Sequence, residues 1–356
     1  MGHDMRRVAV IGAGMAGLAC AGTLHAAGLD VTVFDKGRRA GGRVVTRRVD
    51  GMAFDYGASG VTAHTPAFGA ALGGMAAAGA AAPWPAAGPE AWTGLPGMSA
   101  LARHMEGLGV GAVHTLRQAT FLTRGSDGWM VRHHDADASR PVYRVAKPSE
   151  SYVDALLQSY RVAENAAPRP IMVTDQGGEV AGPFDTVVLA LPAPQAAGLL
   201  RAVPHCFAEE ADRAATSPRW TLMLAFAAAA EGPDLLLPGG ALSLIIRDSS
   251  QPGRAAVPEC WVAHASPDWS RTHLEDDVAT VQAALVQEFA AATGIRQVPA
   301  YAAVHRWRYA LTESPLGVLA LWDPGARLGV CGDWCLGGRV EDAFTSGRAL
   351  AGMAMA

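Results

Sequence analysis

An α/β fold, with a parallel sheet opening at the N-terminus and a second, antiparallel sheet later in the chain, is predicted by three observations. "RVAVIGAGMAGLACAGTLHAAGLDVTVFDKG" reads as strand, tight turn, helix and second strand. "FDTVVLALPAP" is a continuous apolar run that stops at prolines, as a buried parallel strand does at its carboxyl end. "TLMLAFAAA", "ALSLIIRD" and "CWVAHAS" look like strands of another sheet, closer to antiparallel in character.

Composition narrows the classes. The chain has 356 residues, half of them apolar, so it can bury a real core. Its 29 basic and 33 acidic residues leave a net charge of −4, with no electrostatic reason to expect nucleic acid or a membrane surface as partner. Cysteines at 20, 206, 260, 331 and 335 form an odd set without a Cys-x-x-Cys pair. Neither a disulfide framework nor a metal site is expected, and a reducing cytoplasm fits. The uncharged run Val8 to Leu24 imitates a signal peptide, but its glycines fit a tight turn better than a targeting segment.

Further elements follow in order. Segment 69–91 is rich in Ala, Gly and Pro and predicts a short helix and loop. "DGWMVRHHDAD" alternates like one arm of a hairpin, and a polar insert occupies about 138–170. "LEDDVATVQAALVQEFAAATG" places Val278, Val281, Leu285 and Phe289 on one helical face, with Asp276 and Asp277 near its positive end. The chain closes with a strand and turn, "RLGVCGDW", and a helix, "GRVEDAFTSGRALAGMA".

The chemistry starts at Gly12, Gly14 and Gly17, a G-x-G-x-x-G between strand and helix. The first glycine permits the turn, the second admits a pyrophosphate to the backbone, and the third lets helix and strand pack closely. Met15 and Ala16 lie within the motif, and Asp35 ends the next strand about 20 residues on, where a carboxylate can bond ribose hydroxyls. Beyond it, "FDKGRRAGGR" adds Lys36, Gly41, Gly42 and Arg43. A second cluster of glycine and arginine on one pyrophosphate is the habit of large flavoproteins, so the dinucleotide expected is FAD, with Arg43 offsetting phosphate charge. Arg38, Arg39, Arg47 and Arg48 fit a solvated face as well as a phosphate site. The predicted architecture is therefore a Rossmann-like FAD-binding domain (1–65, 96–198 and 322–356) and an α+β substrate domain containing the antiparallel sheet (66–95 and 199–321). Histidines 104, 114, 133 and 134 lack ligand-like company and read as surface or packing residues.

"VAVIGAGMAGLACAGTL", "FDKGRRAGGR", "FDYGASGVTA", "WTGLPGMSALARHM", "VVLALPAPQAAGLL", "WVAHASPDWS", "HRWRYA" and "VCGDWCLGGRVEDAFTSG" occur in this order along nearly the whole chain. Together they resemble the bacterial renalase-like flavoproteins, relatives of the amine oxidases. That resemblance implies that Gly57 and Ala58 approach the cofactor, and that Gly332 and Asp333 meet the ribityl chain. It also implies that Arg339, Val340 and Glu341 open a helix whose N–H groups face the flavin pyrimidine. His264 and Trp307 are implied substrate-pocket residues: Trp307 an aromatic wall, His264 a hydrogen-bond partner.

The resemblance further implies hydride transfer from a small ring-containing substrate to FAD, with dioxygen as acceptor and dihydronicotinamide isomers as the favoured substrates. Amine oxidases carry a lysine near the flavin; this chain has only Lys36, beside the adenosine end, and Lys147, in the insert. Dehydrogenation of another metabolite, amine oxidation, and a non-catalytic flavin scaffold or redox sensor are the alternatives. Ser59, Gly60 and Val61 depart from the family's aromatic-bearing stretch, which alters the pocket walls.

Overall fold

The computed structural model describes residues 6–136, 178–203, 205–230 and 232–356. The polar insert near 138–170, with Lys147, lies outside the described residues.

The larger sheet has six strands in the order Leu321–Asp323, Leu328–Val330, Thr186–Leu189, Arg7–Ile11, Asp30–Phe34 and Ala112–His114. All neighbours are parallel except the antiparallel edge pair Leu321–Asp323 and Leu328–Val330. After the exposed Arg7 its central strand, Val8 to Ile11, is apolar because both faces are covered. Val8 and Val10 enter one core with the helices Met15–Ala26 and Val340–Met355, while Ala9 and Ile11 enter another with the helix Ala193–Leu200. The two large helices touch closely: a Cβ on Gly347 would lie 2.0 Å from the Ala16 carbonyl oxygen, so only glycine fits there.

The second sheet is antiparallel, in the order Leu235–Leu236, Leu242–Arg247, Glu259–Ala265, Ala215–Phe226 and Tyr301–Ser314. Alternation along Ala215–Phe226 sorts its two faces. Trp220, Leu222, Leu224 and Phe226 share a core with Val281, Leu285 and Phe289 of the helix Val278–Thr293. Asp277 caps that helix, accepting from Thr280 N at 2.9 Å. Val278, expected on the buried stripe, is 59% exposed because it is the first helical residue, outside the stripe that meets the sheet. Met223 and Ala225 face the other way and pack with Phe54 of the short strand Met52–Phe54.

The hairpin predicted around Trp129 pairs Arg117–Gly125 with Gly128–Asp135, and Glu179–Phe184 adds a third strand. Segment 66–95 forms the helix Pro66–Ala77, short strands Ala81–Pro83 and Ala91–Gly94, and one 3₁₀ turn. Although expected with the substrate domain, this helix inserts Phe68, Leu72 and Met75 into the core around Met15–Ala26. Phe68 meets Phe344 at 5.2 Å. The short helix expected in this low-complexity segment forms, and its few large residues all face one core.

Four tryptophans are fully buried, and each indole N–H finds an oxygen: Trp129 bonds Ala326 O, Trp220 bonds His273 O, Trp261 bonds Glu259 Oε2 and Trp334 bonds Leu191 O, all at 2.9–3.0 Å.

Candidate cofactor and substrate site

The three motif glycines divide into closed and open positions. A Cβ on Gly12, whose φ is +106°, would lie 2.3 Å from Ala190 O, and one on Gly17 would lie 1.8 Å from Gly12 O. At Gly14 a Cβ would meet nothing within 4 Å. This is the start of the helix Met15–Ala26, and no side chain caps it, so its first N–H groups remain for a ligand or solvent.

Asp35 closes the loop around this opening. Its two oxygens accept from Ala13 N and Gly37 N, both at 2.6 Å. Burial raises the Asp35 carboxyl above its ordinary pKa, against the two amides and Lys36. An ionised carboxylate has about four acceptor positions, so two remain for ribose hydroxyls. Lys36 is exposed. "FDKGRRAGGR" folds back on the turn: Gly41 N donates to Ala13 O at 2.8 Å, and Gly42, at φ +58°, sits against Gly14. The two glycine clusters, separate in sequence, thus form one cradle.

Arg43 is not a free cation beside that cradle. Its guanidinium bonds Asp333 Oδ1 at 2.5 Å and Ala310 O at 3.0 Å, while Thr312 Oγ1 donates to Asp333 Oδ2 at 3.1 Å. The residues expected at the phosphate and at the ribityl chain are therefore paired with each other. Gly57 and Ala58 run along Arg43: Ala58 N donates to Arg43 O at 2.9 Å, and a Cβ on Gly57 would lie 2.0 Å from that oxygen. Gly332 N donates to Ser346 Oγ at 3.1 Å.

Arg339 is exposed and caps the helix Val340–Met355 in a reciprocal pair with Asp342. The Glu341 side chain faces neither solvent nor an open pocket. It is buried and accepts from Thr65 N and Thr65 Oγ1 at 2.6 Å and from His64 N at 3.0 Å. Burial alone would raise this carboxyl, but the Thr65 hydroxyl and the two amides outweigh it and hold the pKa down. Glu341 therefore ties the C-terminal helix to the start of Pro66–Ala77, and only its backbone N–H is left for a cofactor.

The inner face of the antiparallel sheet supplies the rest. Strand register places Arg219 opposite Trp307, and Thr221 opposite both His264 and His305. Cross-strand partners project to the same side, so these five residues share one face. Trp307 stacks on Tyr56 at 5.3 Å and donates its indole N–H to Tyr56 O at 3.0 Å; His305 meets both rings edge-on.

His264 is 2% exposed and both ring nitrogens are taken. Ser59 Oγ gives its proton to Asp55 O at 2.9 Å, so it must accept from His264 Nε2 at 3.2 Å, leaving Thr221 Oγ1 to donate to Nδ1 at 2.9 Å. The residue expected to bond a substrate instead holds Ser59 and Thr221 in place. Ser59 and Gly60, small residues expected to alter the pocket walls, are backed by packing: Trp84 lies against Gly60, about where a Cβ would crowd it.

Burial, then the nearby Arg219 charge, lowers the His264 pKa to about 3. A histidine with a depressed folded pKa loses its stabilising contribution as pH falls below the ordinary value, because the unfolded chain then binds the proton first. Equilibrium denaturation should show wild-type stability decreasing from pH 6.5 towards pH 4 by up to about 1.4 kcal/mol per pH unit from this group. In His264→Gln that slope should be reduced.

Tyr56, His305, Arg219 and the hydroxyls around His264 escaped sequence reading. For Arg219, Thr221 and His305 the signal, polar residues within strands, becomes specific only with the register, while Tyr56 and Ser59 lie in the loop between Met52–Phe54 and Val61–Thr62. A surface depression of about 440 Å³, lined by His25, Leu29, Asp30, Glu106 and Val110, lies at the opposite end of the parallel strands from the glycine turn. Ligands of open α/β sheets bind at the carboxyl end, so that hollow is not part of this site.

Residues 10–72 match the NAD(P)-binding Rossmann-like domain family. Among curated proteins, protoporphyrinogen oxidase 2 of Arabidopsis thaliana is 43% identical over 67 residues, 19% of this chain and 13% of that protein. A 4,4'-diapophytoene desaturase of Staphylococcus haemolyticus is 48% identical over 50 residues, 14% of this chain and 10% of that protein. The matches thus span a small part of these relatives' length. Likeness to solved structures extends much further. One assigned to a protoporphyrinogen oxidase of Exiguobacterium sp. 255-15 has a TM-score of 0.69 at 13% identity, covering 99% of this chain and 100% of the other. Cyclohexylamine oxidase of Brevibacterium oxydans IH-35A has a TM-score of 0.64 at 14% identity, covering 98% of both. The chain therefore carries a Rossmann-like dinucleotide-binding domain within a mixed α/β fold of the kind seen in these oxidases.

Proposed function

We propose that this chain is an FAD-dependent oxidoreductase acting on a small ring-containing molecule. The supporting observation is the open cradle at Gly14, closed on either side by Asp35 and Gly41–Gly42. The cradle fits a dinucleotide pyrophosphate: a side chain at Gly12 or Gly17 would collide with backbone, whereas the space over Gly14 is free. In this reading Gly12, Gly14, Met15, Ala16 and Gly17 hold the pyrophosphate, with Asp35 and Lys36 at the adenosine end. Gly42, Arg43, Gly57, Ala58, Gly332 and Asp333 border the riboflavin portion, and Arg339, Val340 and Glu341 present backbone to its ring. The FAD-binding part comprises 1–65, 96–198 and 322–356 and the substrate part 66–95 and 199–321, the helix Pro66–Ala77 of the latter packing on the former.

Bound there, FAD supplies a two-electron acceptor for a hydride from a substrate C–H, with dioxygen as the proposed final acceptor. The protein's share is position and field. Trp307 and Tyr56 offer flat stacking surface, and His264, neutral and locked, fixes the wall that carries Ser59. In this reading the helix opening at Val340 would turn its positive end towards the ring, where it would favour developing negative charge.

Within this class we favour renalase-like oxidation of dihydronicotinamide isomers, ready hydride donors that need no amine deprotonated first. Amine oxidation is the second reading, favoured by the fold's likeness to cyclohexylamine oxidase. Against it, Lys36 is the single lysine among the described residues and lies beside Asp35, at the far end of the cradle.

The test is to purify the protein, measure flavin by absorbance, and mix it anaerobically with dihydronicotinamide isomers and with amines. Bleaching by the isomers is expected, and Trp307→Ala should slow it at least tenfold with flavin content intact. Bleaching by amines alone would reverse the order of the two readings, and a protein that takes up no flavin would remove both.

A further inference from the structure

Three described arginines bury an Nε that has no hydrogen-bond partner: Arg219, Arg247 and Arg254. Two of them face carboxylates. Arg247 lies 3.5 Å from Glu259, and Arg254 pairs with Asp55. Arg219 has no hydrogen bond or ion pair among the described residues. Arg219 as a whole is half-buried, with its Nε shut off from water, and even a partly desolvated guanidinium without a counter-charge carries a cost that a bound anion would repay.

Its place in the fold is specific. Arg219 stands directly opposite Trp307 on the inner face of the antiparallel sheet, two residues before Thr221 and close enough to His264 to depress that ring's pKa. Burial lowers the Arg219 pKa itself to about 10, which leaves it charged at neutral pH. A cation beside an aromatic wall suits a ligand that is both flat and negatively charged.

We infer that Arg219 is a specificity-determining residue that binds an anionic substituent, carboxylate or phosphate, on the ring-containing substrate. This deepens the proposed oxidoreductase reading and rests on it. The ring stacks at Trp307 and Tyr56, and the planar guanidinium takes two oxygens of the anion. A neutral amide of the same shape leaves the arginine without its counter-charge.

The test uses the flavin-loaded full-length protein with benzoate, phenyl phosphate and benzamide, following binding by tryptophan fluorescence and by perturbation of the flavin absorbance. Wild type should bind at least one of the two anions about tenfold or more tightly than benzamide, as a charge-assisted, two-point contact predicts. The anion preferred identifies the substituent. Arg219→Met should abolish the preference while leaving benzamide affinity and flavin content unchanged. Arg219→Lys, which keeps charge but not the fork, should fall between them, and it decides the matter if the methionine variant does not fold. Equal affinity of wild type for anions and amide, or an undiminished preference in both variants, would overturn the inference. Flavin content is measured first: its absence in wild type defeats the oxidoreductase reading, whereas a flavin-loaded protein indifferent to charge defeats the role of Arg219 alone.

Discussion

Gly14→Ala should leave the chain folded and strip it of its dinucleotide, whereas Gly17→Ala should lose both. The contrast follows from where each Cβ would go. At Gly14 the backbone is extended, at φ −75° and ψ −179°, and the new methyl meets nothing within 4 Å. Alanine is a poorer helix N-cap than glycine, at a cost of about 1 kcal/mol or less. The melting temperature of the flavin-free protein should therefore fall by no more than about 4 °C. The same methyl occupies the space a pyrophosphate needs, so flavin retained after purification should drop at least tenfold. At Gly17 the methyl would lie 1.8 Å from Gly12 O, and the turn must open to admit it. That variant should be destabilised by several kcal/mol, as overpacking against rigid backbone is. Absorbance of bound flavin and thermal melts of both forms check the pair. Wild-type flavin content in Gly14→Ala would show that the dinucleotide does not lie over this turn.

Arg254→Met should unfold the protein more readily than any surface substitution, by about 3–5 kcal/mol at neutral pH. Arg254 sits between two fully buried carboxylates, Asp55 and Asp248. Around them Thr46 Oγ1 donates to Asp55 Oδ1 at 2.6 Å, Met98 N to the same oxygen at 2.9 Å, and Gln251 Nε2 to Asp248 Oδ1 at 2.6 Å. Asp55 N reaches Asp248 Oδ2 at 3.2 Å. The cluster bolts the loop after Leu242–Arg247 to the segment leading into Gly57, so it joins the antiparallel sheet to the nucleotide-binding part.

The pH dependence of that variant has a definite sign. Burial raises both carboxyls above their ordinary pKa, Asp248 well above, with Asp55 adding repulsion and Arg254 opposing. A raised carboxyl contributes stability at low pH that is lost as pH rises through its folded value. Removing the arginine raises both further, so the penalty of Arg254→Met should be greatest at pH 8 and shrink towards pH 5. Urea titrations at the two pH values measure this. A penalty that grows on acidification would mean that the carboxylates stay ionised without their partner.

Much of the fold is legible along the chain because its signals are local. A buried parallel strand must be apolar on both faces, a tight turn before a helix must be glycine, and a helix docked on a sheet must repeat its large residues every third or fourth position. Hence the strands at Arg7–Ile11 and Thr186–Leu189, the glycine turn and the face Val281, Leu285 and Phe289 stand where composition and spacing place them. The helix Pro66–Ala77 is different. Alanine and glycine form its exposed side, so too few large residues remain to indicate which part it joins, and its packing against Phe344 emerges from contact alone.

The sequence by itself determined that a parallel sheet begins with a dinucleotide-type turn and that a second, antiparallel sheet follows. Which side chains are free for chemistry was decided by tertiary structure. His264 carries the strongest motif, yet both its nitrogens are consumed by Ser59 and Thr221. Arg43 and Asp333, expected to meet different portions of a ligand, meet each other. Arg219, inconspicuous at the edge of an apolar run, keeps a buried Nε with no hydrogen-bond partner among the described residues. The physical reason is that hydrogen-bond and charge satisfaction depend on partners more than 200 residues apart for His264 and Ser59, and no local pattern records which donors and acceptors the folded chain has already used.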